Sequence, residues 1–195
     1  MSEQQADKIL DATYSLLSRY GLRRTSMEDI VRESGVSRAT LFRRFHSRDE
    51  LLQNLMTREI TRFLEGLGER LKTVTDPRDR LVEIFVYFTE IAPKHTVLRR
   101  LLETDQETVL PLLTVNSDRL LSIGNNYIRS ELLLAAKAGY RLTASPDICA
   151  ELLTRLSHSY LLNPGSVVPL DDTKKLRRLF RSTVLRLVIE DIEVA

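Results

Sequence analysis

Apolar positions along the chain recur at intervals of three and four residues, and no convincing two-residue alternation of strand type appears. The pattern predicts an all-α protein of about nine helices. Ala6, Ile9, Leu10, Thr13, Leu16, Leu17 and Tyr20 share one face of a first helix over about Gln5–Tyr20, which Gly21 ends. Ile30 and Val31 mark a second, opened at Thr25 with Glu28 as its capping-box partner and closed at Ser34-Gly35. Ser37 caps a third, on which Leu41 and Phe45 face inward, leaving Arg38, Ala39, Phe42 and Arg43 on or near the outer side. Ser47, with Glu50, caps a fourth that continues through Leu51, Leu55, Ile60 and Leu64 to about Leu71.

The remaining pattern is also helical. Asp76-Pro77 opens a helix carrying Leu81, Ile84, Phe85, Phe88 and Ile91, which Pro93 breaks. A short helix follows around Val97–Glu103, and a long one runs beyond Pro111 from about Leu113 to Lys137. Ser145-Pro146 starts a helix that ends at the Asn163-Pro164-Gly165 turn. Asp171-Asp172 starts the last, whose stripe of Leu176, Leu179, Phe180, Thr183, Val184, Leu187 and Val188 is widened by Leu185, Ile189 and Ile192. So much apolar surface on a terminal helix exceeds what one internal neighbour covers. It implies a homodimer through a four-helix interface carried by Leu153, Tyr160, Leu161, Leu179, Thr183 and Leu187.

Two short helices around a turn containing Gly35 form a helix-turn-helix, whose second member is sized for the roughly 12 Å major groove of DNA. Charge supports this reading. From Arg19 to Arg48 there are eight arginines against Glu28, Asp29 and Glu33, a local excess of five positive charges where the whole chain carries +2. Arginine's planar fork suits both phosphate and the guanine edge.

The run GVSRATLFRRFHSRDELL, preceded by Tyr20-Gly21 and Thr25-Ser26, resembles the signature of the tetracycline-repressor (TetR) family over about residues 5–55. Phe42 stands where that pattern usually has Tyr, and Arg48 where it usually has Lys. The resemblance implies a three-helix DNA-binding head at 1–47, continuing into a linking helix at about 48–71. It also implies a ligand-binding and dimerisation region over 48–195. A dimer would set two reading helices about one duplex turn, roughly 34 Å, apart on palindromic double-stranded DNA. Arg38, Ala39 and Thr40 are then the expected base readers. Thr25, Arg43, Arg44 and Arg48 are expected to hold phosphate, with Ser37 a capper first and a phosphate ligand second, and Ser26 and Phe42 complete the expected DNA-binding set. A small-molecule effector in the bundle, released repression and a cytoplasmic setting complete the expectation. Phe85, Phe88, Tyr127 and Leu134 are the candidate pocket residues, favouring an apolar or aromatic compound.

Composition narrows the field. At 195 residues, 43% hydrophobic and 29% charged, the chain has the makeup of an ordinary soluble globular protein. It has no basic-then-apolar leader and no apolar run of membrane-spanning length. Its single Cys149 suits a reducing compartment. There is no HExxH, GxSxG, P-loop or dinucleotide fingerprint, and the three histidines with one cysteine lack metal-ligand spacing. No enzyme activity, cofactor or metal is therefore expected. The main rival is a helix-turn-helix dimer without a small-molecule effector, answering to a protein partner. A hidden enzyme in the bundle comes after that.

Overall fold

A computed structural model describes residues 3–163 and 165–190. Pro164 and Ile192, placed above in a turn and on the last apolar stripe, lie outside the described residues. The described residues hold ten α-helices and two 3-10 helices and no strand beyond an isolated bridge between Leu142 and Ile189. No described helix is long and apolar enough to cross a membrane.

The chain falls into two compact units. The first comprises the chain up to Gly66 together with His95–Leu110, and the second comprises Leu67–Lys94 and everything from Pro111 onward. This division differs from a cut after residue 47, because a segment far along the sequence folds with the head.

In the first unit, α1 (Glu3–Tyr20) packs against α2 (Met27–Ser34) and against α6 (Thr96–Thr104). α3 (Arg38–Arg44) follows α2, and α4 (Arg48–Leu71) starts here. Ile9, Leu17, Leu41 and Leu51 are fully buried in one apolar cluster that also takes in Ile30, Phe45 and Val97. Burial of each such side chain is worth roughly 1.5–3 kcal/mol, so a head too small to enclose its own faces gains a core by recruiting α6.

The second unit is built from α5 (Pro77–Ile91), α8 (Asp118–Lys137), α9 (Pro146–Leu162) and α10 (Thr173–Ser182). α8 and α9 form its tightest pair, and α5 packs on both α8 and α10. α7 (Gln106–Leu113) carries Pro111 inside its last turns, which is why the sequence pattern placed a boundary there instead of a helix. The largest departure is at the C-terminal end. α10 stops at Ser182, where the Ser182 and Thr183 hydroxyls both turn back onto the Leu179 carbonyl, at 3.3 and 2.5 Å. The chain then makes a 3-10 turn at Val184–Leu187 and pairs with the loop after α8: the Thr143 amide donates to the Val188 carbonyl and the Glu190 amide to the Arg141 carbonyl. Leu176, Phe180, Leu185, Val188 and Ile189 are thereby buried within their own unit, each at 2% exposure or less. Much of the apolar surplus that called for a partner is covered by the chain itself, while Leu187 stays exposed.

Candidate nucleic-acid interface

The α2–turn–α3 unit is built by caps. Two overlapping templates compete at its start, Thr25 with Glu28 and Ser26 with Asp29, and the second is used. Ser26 Oγ accepts from the Asp29 amide at 3.2 Å, while the Asp29 carboxylate accepts from the Ser26 amide at 3.0 Å. The Ser26 hydroxyl, followed by its amide, holds the Asp29 carboxyl below its ordinary value. Thr25 is instead buried at 4% exposure, with its hydroxyl donating to the Gly21 carbonyl at 2.8 Å. It is therefore not available to phosphate, a correction to the expectation. Gly35 ends α2 at φ 68°, left-handed backbone that a side chain would resist, although space around it is open.

Ser37 caps α3 by accepting from the Thr40 amide at 3.1 Å, and its hydroxyl lies 2.9 Å from that of Thr40. Leu41 is completely buried and Phe45 nearly so, which fixes the rotation of the helix and turns Arg38, Ala39, Arg43 and Arg44 outward. Thr40 and Phe42 are half-buried beside them. Of the expected set, the outward face of α3 carries Arg38, Ala39, Arg43 and Arg44.

The arginines are less uniform than their count suggests. Arg19 pairs with Glu33, Arg32 with Asp29, and Arg23 with Glu107 at 2.5 Å. Arg38 is 2.9 Å from Glu28 and lies over the Phe42 ring, 5.3 Å from its centroid, with the side chain still 68% exposed. Arg48 points back into the head, where it donates to the Leu22 carbonyl and, at 2.9 Å, to the Thr25 carbonyl. Its expected role at phosphate is replaced by a structural one. Arg24 and Arg43 have no ion-pair partner among the described residues, and Arg44 has only a through-space influence on Glu50, whose carboxyl is lowered chiefly by its bond from the His46 amide. A groove-sized helix with three outward arginines and no acid on its own length can approach a polyanion and dock.

A family model described as bacterial regulatory proteins, tetR family, matches residues 9–55, from α1 through the opening of α4. Over those residues, about a quarter of the chain, the sequence is similar to the TetR family. A curated relative, an uncharacterised HTH-type transcriptional regulator of Mycobacterium tuberculosis (strain CDC 1551 / Oshkosh), is 35% identical over 81 residues, 42% of this chain and 40% of the relative. The match thus spans less than half the length of that relative. Two solved structures share the fold of this chain. A TetR transcription regulator from Haloarcula marismortui is 21% identical with a TM-score of 0.71, covering 97% of this chain and 100% of that one. The transcriptional regulator FadR from Bacillus subtilis, in complex with stearoyl-CoA, is 13% identical with a TM-score of 0.63, covering 90% and 97%.

In the second unit the candidate pocket residues separate. Phe85 stacks on Phe180 at 4.4 Å and meets Tyr160 edge-on at 5.9 Å, filling the interior. Phe88 lines a cleft of about 340 Å³ with Thr89, Pro93, Tyr160, Leu161 and Val168. Tyr127 is half-buried against the core, its hydroxyl pushed up by burial and by Glu131. Leu134 is 49% exposed on the outer face of α8 and joins none of them. Of the expected interface set, Leu153 is buried inside its own unit. Tyr160, Leu161 and Leu179 are half-buried, and Thr183 and Leu187 are exposed. Among the described residues no group of three or more His, Cys, Asp or Glu is placed to hold a metal ion.

Proposed function

We propose that this protein is a TetR-like DNA-binding transcriptional regulator that occupies a palindromic operator as a homodimer and represses by occupancy until a small, apolar effector releases it. The observation that carries the reading is the outward face of α3: Arg38, Ala39, Arg43 and Arg44 stand exposed over a helix locked in rotation by buried Leu41 and Phe45.

The homodimer is assigned to α9. Its outer side exposes Ile148 at 56% and Leu152 at 49%, and Leu187, at 58%, lies near the start of that helix, where its carbonyl accepts the Thr143 hydroxyl at 2.6 Å. α10 instead exposes Lys174, Lys175, Arg178 and Arg181, which a two-fold axis would set against their own copies. The effector reading draws on the cleft at Phe88, whose largely apolar lining also includes Thr89, Ser166 and Asp171, and on the likeness to FadR, a protein seen with stearoyl-CoA. A protein partner in place of an effector is favoured by the ring packing at Phe85, which leaves the interior filled.

The test is a duplex selected by the protein from a randomised pool, followed by titration of the complex with stearate and stearoyl-CoA. Selection of an inverted repeat, with loss of binding on titration, supports the reading. Enrichment of no sequence overturns it, and a complex indifferent to both probes favours the partner-controlled form.

A further inference from the structure

The α1–α2 turn is held from two sides, on one of them by a residue that lies far outside the helix-turn-helix. On its amide side stands Asp105, just past α6, with 1% of its side chain exposed. Asp105 Oδ2 accepts from the Leu22 amide at 2.9 Å and from the Thr104 hydroxyl at 2.6 Å, and Oδ1 accepts from the Arg23 amide at 3.0 Å. Burial pushes this carboxyl up, but the Thr104 hydroxyl, the two amides and the Arg23 guanidinium outweigh it and hold it below its ordinary value. On the carbonyl side Arg48 donates to Leu22 and Thr25, and the Thr25 hydroxyl donates to Gly21.

Gly21 shows how close this approach is. Its backbone is left-handed at φ 80°, and a Cβ there would sit 2.3 Å from Thr104 Oγ1 and 2.5 Å from Asp105 Oδ2. The glycine thus meets two demands at once, conformation and clearance.

The other end of α6 is fixed too. His95 caps it by accepting from the Leu98 amide at Nδ1, 3.2 Å, which places the proton on Nε2 facing Glu59 of α4 at 3.3 Å. The edge of the Tyr14 ring on α1 meets the same imidazole, with centroids 5.8 Å apart. α6 is therefore a strut fastened to the head at both ends.

Resting on the DNA-binding reading above, we infer that Asp105 is a positioning residue for that binding: by fixing the Leu22 and Arg23 amides it sets how α2 and α3 leave α1, and so pre-aims the reading helix. Pre-organisation of this kind raises affinity without adding a contact. The sign of the effect separates it from plain electrostatics. Deleting a carboxylate from a head that binds a polyanion strengthens binding by charge alone, whereas loss of a positioning group weakens it. Because no phosphate contact is removed, the salt slope stays unchanged.

The test uses the full chain, a duplex selected by the wild type from a randomised pool, and amide hydrogen exchange without DNA. Asp105→Asn, which leaves one acceptor oxygen among three donors, is expected to speed exchange at Leu22 and Arg23. It is also expected to weaken duplex binding by about tenfold or more at an unchanged salt slope. Thr104→Val, nearly isosteric and fold-safe, is expected to do the same more weakly, by roughly threefold. Faster exchange with duplex binding equal to or tighter than wild type overturns the positioning role, as does unchanged exchange in Asp105→Asn. If Asp105→Asn does not fold, wild-type binding by Thr104→Val overturns it. A wild type that selects no duplex defeats the DNA-binding reading itself, a result distinct from all of these.

Discussion

Arg38 enters any encounter with DNA already engaged, 2.9 Å from Glu28 and laid over Phe42. The pair is exposed on both sides, so it contributes little to stability, and its effect is on the availability of the guanidinium. Arg38→Ala is expected to lose about 1–3 kcal/mol on the matched site and to relax one base position. Glu28→Gln should free the arginine and tighten binding, an outcome that titration of the selected duplex at fixed salt will show. Arg43→Ala and Arg44→Ala should each flatten the salt slope by about one, as lost phosphate contacts do. Arg48→Ala should lower the thermal midpoint of the head and leave that slope nearly unchanged, because its guanidinium is committed to the Leu22 and Thr25 carbonyls. At this scale the sequence showed the outward set and missed its partners. Arg38, Arg43 and Arg44 follow from helical spacing and the buried Leu41. The Thr25 and Ser26 templates are equivalent on paper, and only burial of Thr25 decides between them. Asp105 carries no local signal of this role, since the amides it accepts from are more than eighty positions away.

Among the elements, those bounded by local caps were legible and those ended by tertiary pairing were not. Ser37, Gly35 and Asp76-Pro77 announce their helices. The end of α10 does not announce itself, because its apolar stripe continues in helical phase while the chain has already turned to pair with Thr143 and Arg141. α10 is tied to α5 by Glu83, which accepts from Arg177 at 2.9 Å on one oxygen and from Arg70 at 2.9 Å on the same one. Arg177 first, then Arg70, hold the Glu83 carboxyl below its ordinary 4.5 against burial. Its contribution is complete above about pH 4.5 and is lost as pH falls through the lower folded value. His158 acts in a different window. Burial, reinforced by Arg155, lowers its pKa beneath 6.5, so the unfolded chain takes up the proton first and stability declines as pH drops below that value. Unfolding midpoints of His158→Gln, measured between pH 5 and 7, should fall less steeply with acid than those of the wild type.

For the whole molecule, the all-α class and the TetR-type head were readable from periodicity, caps and the run around Arg38. The dimer surface was not. Much of the stripe that suggested it is spent on an internal core; Leu187 of the expected set stays exposed, and exposure adds Ile148 and Leu152 to the proposed contact. Leu152→Glu should yield monomers in sedimentation and lose two-half-site binding, whereas Arg178→Ala should leave assembly intact. The most direct measurement of the central claim is in-vitro selection from a randomised duplex pool by the full chain and by Arg38→Ala. The account predicts that the wild type enriches an inverted repeat with half-sites about one helical turn apart, and that the variant loses preference at one symmetric pair of positions. An unenriched pool, or identical sites chosen by both proteins, would contradict it.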